Sequence, residues 1–389
     1  MCIVFVCNEL PPAPSDVIGP VVAVLAQGLA AAGNEVTVVG TYDQDYGWNY
    51  PGVRVIPLLN SQRRWFQPFA CAHDLRRWAI YRELGRLRLR ERIDVVEWSD
   101  REGLFVQPIP GVTDVLRNRG LRVETGSDAF AAVNPTWENL AFRTLRSIPN
   151  WIGLSQWLLN EWLRISEAQP VRTAVAYDPI DLDLFRPEIE AQKLDPNLVL
   201  YAGSFRPAQG ALSLIKAANL FLRQCPDARL EMYGEEMTSV PQLEGRLADD
   251  LRDRVTWSGP LPESRLAIRM RRAAVFAMPS LLESFGTAWM EAMASGVAVV
   301  GSRMTCGPEI VQDGVTGLLT DPTNPPDVAH AIVRLLGEPA LRHQMGTAGR
   351  QFAERRYSVE AGVRQTLAFY EACHSQRQFP DELEVPLEG

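Results

Sequence analysis

The segment Pro279 to Glu291, PSLLESFGTAWME, concentrates the residue types best suited to chemistry in this 389-residue chain. A Pro-Ser turn closes an apolar run, Glu283 stands on the loop, and Ser284-Phe285-Gly286-Thr287 open a helix that carries Glu291 about one turn inside. Main-chain amides at Phe285, Gly286 and Thr287 have no helical partner at such a start, so they form a seat for an anion. Carboxylates flank that seat on both sides. Phosphate oxygens would take the amides while sugar hydroxyls donate to the carboxylates. A metal suits the place poorly, because no His lies near in sequence.

The surrounding pattern supplies elements that would hold this loop. Strand Cys2 to Cys7, a Pro-rich loop Pro11 to Pro14, a helix from Gly19 to Ala32 and strand Glu35 to Val39 read as a parallel unit with a right-handed crossover. Further strands are expected at Val53–Ile56, Val95–Glu97, Leu121–Glu124 and Trp151–Ser155. The Asp- and Pro-dense YDPIDLDLFRP, Tyr177 to Pro187, reads as a connection. A second unit follows, with strands at Leu198–Tyr201, Arg229–Tyr233, Val255–Trp257, Val275–Met278, Val297–Val300 and Gly317–Leu319. The class is α/β, with two Rossmann-like domains facing a central cleft. Residues 1–178 form the first domain and 179–358 the second. The helix at about 359–374 is expected to pack back on the first, and the acidic tail 375–389 to be disordered.

Composition narrows the function. Hydrophobic residues make up 46% and charged residues 22%, ordinary for a globular protein. A net charge of -8 argues against nucleic-acid binding. Lysine occurs only at Lys193 and Lys216, so Arg supplies nearly all positive charge. The six cysteines form no C-x-x-C pair and no zinc-spaced cluster, which reads as free thiols in a reducing compartment. No apolar run is long enough to span a bilayer. The expected location is the cytoplasm, including the inner membrane surface.

Several short motifs now combine. Tyr201-Ala202-Gly203, Gly259-Pro260-Leu261, Pro279-Ser280, Glu283-x7-Glu291, the run Glu291 to Gly296, Pro308-Glu309-Ile310-Val311 and Asp313 to Leu318 follow in order. On these, the segment from Leu198 to Phe352 resembles the donor domain of family 4 glycosyltransferases with the GT-B fold. Asn8-Glu9-Leu10-Pro11-Pro12 and Gly33 to Val39 extend the resemblance into the first half. The resemblance implies retaining, metal-independent transfer from a nucleotide-sugar donor to a glycan, lipid-linked or small-molecule acceptor, with no cofactor. It implies that Glu283 touches sugar hydroxyls, Glu291 holds the ribose, and the amides of Ser284, Phe285, Gly286 and Thr287 meet the diphosphate. Leu261 would meet the base through its main chain, and Gly203, Ser204 and Gln209 would line the donor loop.

The departures matter as much. The family's donor loop carries Arg and Lys that neutralise the leaving diphosphate; here Ser204 and Gln209 stand in those places. Drift would have turned Lys into Arg, so the loss is more than composition. Arg206 is the candidate catalytic cation in their stead, with Arg303 the second candidate. Asp16-Val17 replace the family's Gly-Gly, leaving Gly19, and Thr125 stands where a His is usual, with Asp128 nearby. Gly19, Thr125 and Asp128 are therefore the sugar- or acceptor-side candidates. These losses keep two rivals open: a nucleotide- or sugar-binding relative without catalysis, and a GT-B phosphorylase.

One stretch lies outside this scheme. DLRRWAIYRELGRLRLRERI, Asp74 to Ile93, reads as an Arg-rich helix with Arg82, Arg86 and Arg90 along one face. It is either a solvated face or a surface for peripheral membrane association toward a lipid-linked acceptor.

Overall fold

Strands buried on both faces read as continuous apolar runs, because helices cover each side of a parallel sheet. CIVFV at Cys2–Val6 (β1), LVLYA at Leu198–Ala202 (β8) and VFA at Val275–Ala277 (β11) are buried at every residue. A computed structural model describes residues 1–13, 18–59, 72–99, 108–119, 145–188, 190, 194–235 and 239–375. The side chains of 72–77 also fall outside the description. The chain divides into two units, Met1–Pro179 with Val359–Gly389, and Ile180–Ser358.

In the first unit β1 is joined by Glu35–Tyr42 (β2), Val53–Leu59 (β3), Val95–Ser99 (β4), Thr113–Asn118 (β5), Asn150–Gly153 (β6) and Arg172–Val175 (β7). The order is β3-β2-β1-β4-β5-β6-β7, parallel throughout. Helices Ile18–Ala31 (α1), Ala72–Arg90 (α2) and Gln156–Ser166 (α3) connect them. Ser155 caps α3, its hydroxyl accepting from the Leu158 amide at 3.1 Å.

The second sheet comprises β8, Arg229–Tyr233 (β9), Val255–Ser258 (β10), β11, Ala298–Ser302 (β12) and Gly317–Thr320 (β13). Its order is β10-β9-β8-β11-β12-β13, again parallel. The helices are Ala211–Gln224 (α4), Val240–Glu244 (α5), Glu263–Arg272 (α6), Thr287–Ala294 (α7), Gly307–Ile310 (α8), Pro325–Gly337 (α9) and Pro339–Arg356 (α10). In each sheet strand order reverses beside the first strand, at β1/β4 and at β8/β11. Open α/β sheets hold ligands at that point, outside the carboxyl ends of the strands.

A last helix, Val359–Ser375 (α11), belongs to the first unit, where Val363, Phe369, Tyr370 and Cys373 join the core of β1, β2 and α1. Beneath it lies a buried ion network. Arg117 on β5 is 0% exposed and donates to Glu97 of β4 at 2.8 Å and to Thr366 of α11 at 3.0 Å. Arg119 donates to Asp178 at 3.0 Å and to Glu97 at 3.3 Å, and Tyr370 donates its hydroxyl to Glu97. Burial pushes the Glu97 carboxyl up, but Arg117 and Arg119 overcome it and hold it below the usual range.

β5 and β7 were not expected from sequence. TDVLRN is buried throughout although only Val115 and Leu116 are apolar, and Asp114 and Arg117 find hydrogen-bond partners there. RTAV is four residues at a sheet edge. The strand expected at Leu121–Glu124 lies outside the described residues, as do Asp16, Val17, Thr125, Asp128 and the tail beyond Ser375.

Candidate functional site

Three loops at the carboxyl ends of β8, β11 and β12 converge in the second unit. The first, Gly203 to Gly210, folds back through a short 3-10 turn at Pro207–Gln209. The Gly203 amide donates to Tyr233 at 3.0 Å. Gln209 turns its side chain inward and accepts from the Ser204 amide, while the Tyr201 hydroxyl donates to the Ser204 carbonyl at 2.6 Å. Ser204 and Gln209 thus close the loop on itself. Gly210 sits at φ 78, and a Cβ there would lie 1.9 Å from the Pro279 carbonyl. Only glycine lets this loop press against the Pro-Ser turn.

The second loop is clamped onto the first. Leu281 and Leu282 amides both donate to the Ala208 carbonyl, at 2.8 and 3.0 Å. Gly286 at φ 75 caps α7 and lies over the Trp289 ring, whose indole N–H donates to Met278 at 3.1 Å. Phe285 buries its side chain against the Tyr357 ring edge, which leaves only its main chain for a ligand. Ser284 and Thr287 are half-buried at the helix entrance.

Here the structure adds something the spacing did not show. The Glu283 carboxylate bends back onto the amides of its own loop, accepting from Ser284 at 3.2 Å. Burial raises its pKa, and the amides of Gly286, Ser284 and Phe285 pull against that rise. The seat expected for a ligand anion therefore faces an internal one. Tyr201 and Cys306 both feel the Glu283 charge, secondary to burial, and both are pushed up.

Glu291 is different. It projects from α7, half-buried, and no hydrogen-bond donor among the described residues reaches its carboxyl. Burial pushes it up to about 8, with Glu263 at the start of α6 adding to the rise. Glu263 itself is raised by burial and then by Asp181. Gly259-Pro260-Leu261 leads into that same helix, with Leu261 half-buried.

Thr305, on the third loop, was missed from sequence. It holds φ 54, a rare conformation for a β-branched residue, and its hydroxyl accepts from the Glu283 amide at 3.3 Å. Its place just past a central strand was the available signal. Arg303 faces elsewhere: it donates to the Leu319 carbonyl at 2.7 Å and pairs with Asp327 at 3.6 Å. Arg206 is half-buried beside the 3-10 turn, its amide 3.4 Å from the Ser204 hydroxyl. Gly19 opens α1 in the first unit, where a Cβ would lie 1.7 Å from the Glu9 carbonyl. Among the described residues no group of three or more His, Cys, Asp or Glu is placed to hold a metal.

A family model described as glycosyl transferases group 1 matches residues 185–352. D-inositol 3-phosphate glycosyltransferase of Thermobifida fusca is 34% identical over 227 residues, 54% of this chain and 52% of that protein. The protein of the same name from Segniliparus rotundus is 35% identical over 217 residues, 53% of this chain and 48% of that protein. The chain thus spans about half the length of the curated relatives it matches. Among solved structures, sucrose-phosphate synthase from Thermosynechococcus elongatus superposes with a TM-score of 0.73 at 21% identity, covering 96% of this chain and 99% of that one. Anabaena HepE in complex with UDP and glucose gives 0.70 at 17%, covering 95% and 98%. At these identities the superpositions speak for the fold alone.

Proposed function

We propose that this chain is a family 4, group 1 glycosyl transferase on the GT-B fold and that it moves a sugar from a nucleotide-sugar donor to an acceptor hydroxyl with retention at the anomeric carbon. The observation that carries the reading is the Glu291 carboxyl: desolvated, without a donor among the described residues, and one helical turn past a ring of main-chain amides. A ribose diol supplies the two O–H donors it lacks. In this reading Glu283 swings off the amides to accept from sugar hydroxyls, and the amides of Ser284 to Thr287 receive the diphosphate. Departure and attack occur on one face, with the leaving phosphate taking the acceptor's proton, so the protein contributes positioning and charge and needs no base of its own. We expect neither metal nor cofactor to be required.

Arg206 is the cation we assign to the leaving phosphate, since it stands in the donor loop two residues past Ser204. Arg206→Gln is expected to lower kcat by about a hundredfold with nucleotide affinity changed far less; equal losses in both would reduce Arg206 to a binding residue. Single-turnover kinetics with the donor in excess separate the two.

Titration with uridine and UDP tests Glu291. Glu291→Gln is expected to weaken both by about tenfold to a hundredfold. The sign with pH is fixed by the raised pKa. Ribose hydroxyls favour the ionised carboxylate, so uridine affinity should rise as pH climbs through about 8, with proton release, and the variant should lose that slope. The same pKa makes Glu291 a burden on the free fold that builds from the unfolded carboxyl range upward and is full above about 8. The variant should therefore melt higher than the parent at pH 8 and alike at pH 4. HepE was captured with UDP-glucose, and the matched relatives are named for D-inositol 3-phosphate, so these are the first donor and acceptor to supply. NMR of the product reads the anomeric outcome; inversion would reject the mechanism.

A further inference from the structure

The loop between β2 and β3 takes no part in the transfer scheme. Tyr42, Tyr46, Trp48 and Tyr50 fall within nine residues there, in a chain whose aromatic content is 8%. Aromatic side chains with a polar tip usually bury the ring and leave the tip to water. This loop does the reverse. The Trp48 N–H donates to the Leu10 carbonyl at 3.0 Å, the Tyr50 hydroxyl donates to the Pro11 carbonyl, and the Tyr46 hydroxyl donates to Asp43 at 2.8 Å. All three residues are half-buried, so with the tips taken, what they leave in solvent is largely ring carbon. Trp48 is braced by the buried Tyr42 ring, centroids 4.4 Å apart, and Tyr46 stands edge-on to it at 5.4 Å and 64°.

The same loop is rich in acceptors and holds no cation. Asp43, Gln44, Asp45 and Asn49 are exposed, and no Lys or Arg occurs from Thr41 to Gly52. One oxygen of each carboxylate closes the loop: Asp43 accepts from the Gln44 amide at 3.1 Å, and Asp45 from the Gly47 amide at 2.9 Å. The second oxygen of each has no donor among the described residues. Thr41 fastens the loop to the turn after β1, donating its amide and its hydroxyl to Asn8 at 2.7 and 2.9 Å.

We propose that this loop is a binding site for a neutral glycan, with one pyranose ring laid on Trp48 and its hydroxyls donating to Asp43 and Asp45. A pyranose with equatorial hydroxyls presents axial C–H bonds on its faces, and the electron-rich face of an aromatic ring attracts them. Its rim of O–H donors meets carboxylate oxygens, which only accept. The lack of a cation selects against phosphates, nucleotides and acidic headgroups. Trp and Tyr give contact area at little cost in rotamer entropy, and the inward hydrogen bonds fix the rings before the sugar arrives. The site lies wholly within the first unit and needs no donor, so it goes beyond the transfer reading and does not depend on it.

Isothermal titration of the full chain with cellotetraose and with maltotetraose, both built from glucose rings, tests the site. Saturable binding of at least one is expected, with saturation-transfer NMR strongest at the ring C–H protons. Trp48→Leu, which keeps an apolar contact for Tyr42, should weaken binding about tenfold. Asp43→Asn with Asp45→Asn keeps the oxygens that close the loop and removes the charge, and should weaken it about fivefold. Both positions are exposed, so this second variant carries the test should Trp48→Leu melt early. UDP affinity should be unchanged in both variants, and UDP should not displace the glycan. Binding of neither tetrasaccharide, or parent-like binding by the folded variants, overturns the proposal. So does displacement by UDP, which would move the glycan to the donor loops. A dimer that Trp48→Leu splits overturns it too, by making the rings an interface between copies. A chain that holds the glycan but no UDP would sink the transfer reading and keep this one.

Discussion

Replacing Glu283 by Ala is expected to cut kcat/KM by two to three orders of magnitude, about 2.7–4 kcal/mol of transition-state stabilisation, while UDP affinity holds or rises. The two effects part because of where the carboxylate rests. In the ligand-free protein it sits against the amides of Ser284, Phe285 and Gly286, the groups a diphosphate would want. Removing it frees those donors for the nucleotide and takes away the acceptor for sugar hydroxyls. Isothermal titration with UDP beside steady-state kinetics with UDP-glucose reads both. A parallel fall in affinity would place Glu283 on the nucleotide and not on the sugar. Thr305→Ala, which removes the hydroxyl that accepts from the Glu283 amide, should share the direction at a smaller size.

The largest effect on stability is expected in the first unit. Glu97→Ala leaves Arg117 and Arg119 buried without their shared carboxylate and removes the acceptor of Tyr370. An uncompensated buried cation costs about 3–5 kcal/mol, a large share of a domain's stability. Urea denaturation followed by far-UV circular dichroism should show it. Exchanging Glu97 and Arg117 together for apolar residues should cost much less than Glu97→Ala alone, because no charge is then stranded. The depressed Glu97 pKa adds a pH signature. Its contribution is full above the unfolded carboxyl range and is lost as pH falls through the lower folded value, so the deficit of Glu97→Ala should shrink in acid.

How much of this was legible in the sequence depends on whether an element announced itself by burial or by partnership. The strands β1, β8, β11 and β12 and the helices between them are apolar runs punctuated by Gly and Pro, and they read directly as an α/β chain. β5 did not, because Asp114, Arg117 and Asn118 look like loop residues until their burial within the sheet is known. Spacing alone set Glu283 and Glu291 around a helix start. It was silent on Glu283 folding onto its own amides, on Gln209 bonding the Ser204 amide, and on Arg303 being held by Leu319 and Asp327. Those are choices of side-chain direction, made by loops that meet only after the sheet forms. Thr305 escaped for a related reason: a positive φ at a β-branched residue is imposed by its surroundings and leaves no mark in composition.

The path of the chain carries a consequence for how the molecule is made. Residues 180–358 form one uninterrupted stretch whose ends meet, the Ile180 amide donating to Tyr357 at 2.8 Å. The first unit, by contrast, lacks Phe369, Tyr370 and the Thr366 hydroxyl until α11 has been synthesised. On a ribosome the later-encoded unit can finish first, while the earlier one waits with Arg117 unsealed and its apolar bed open. Nascent chains halted with residues 359–375 still inside the exit tunnel should shield the second unit from protease while the first is still cut.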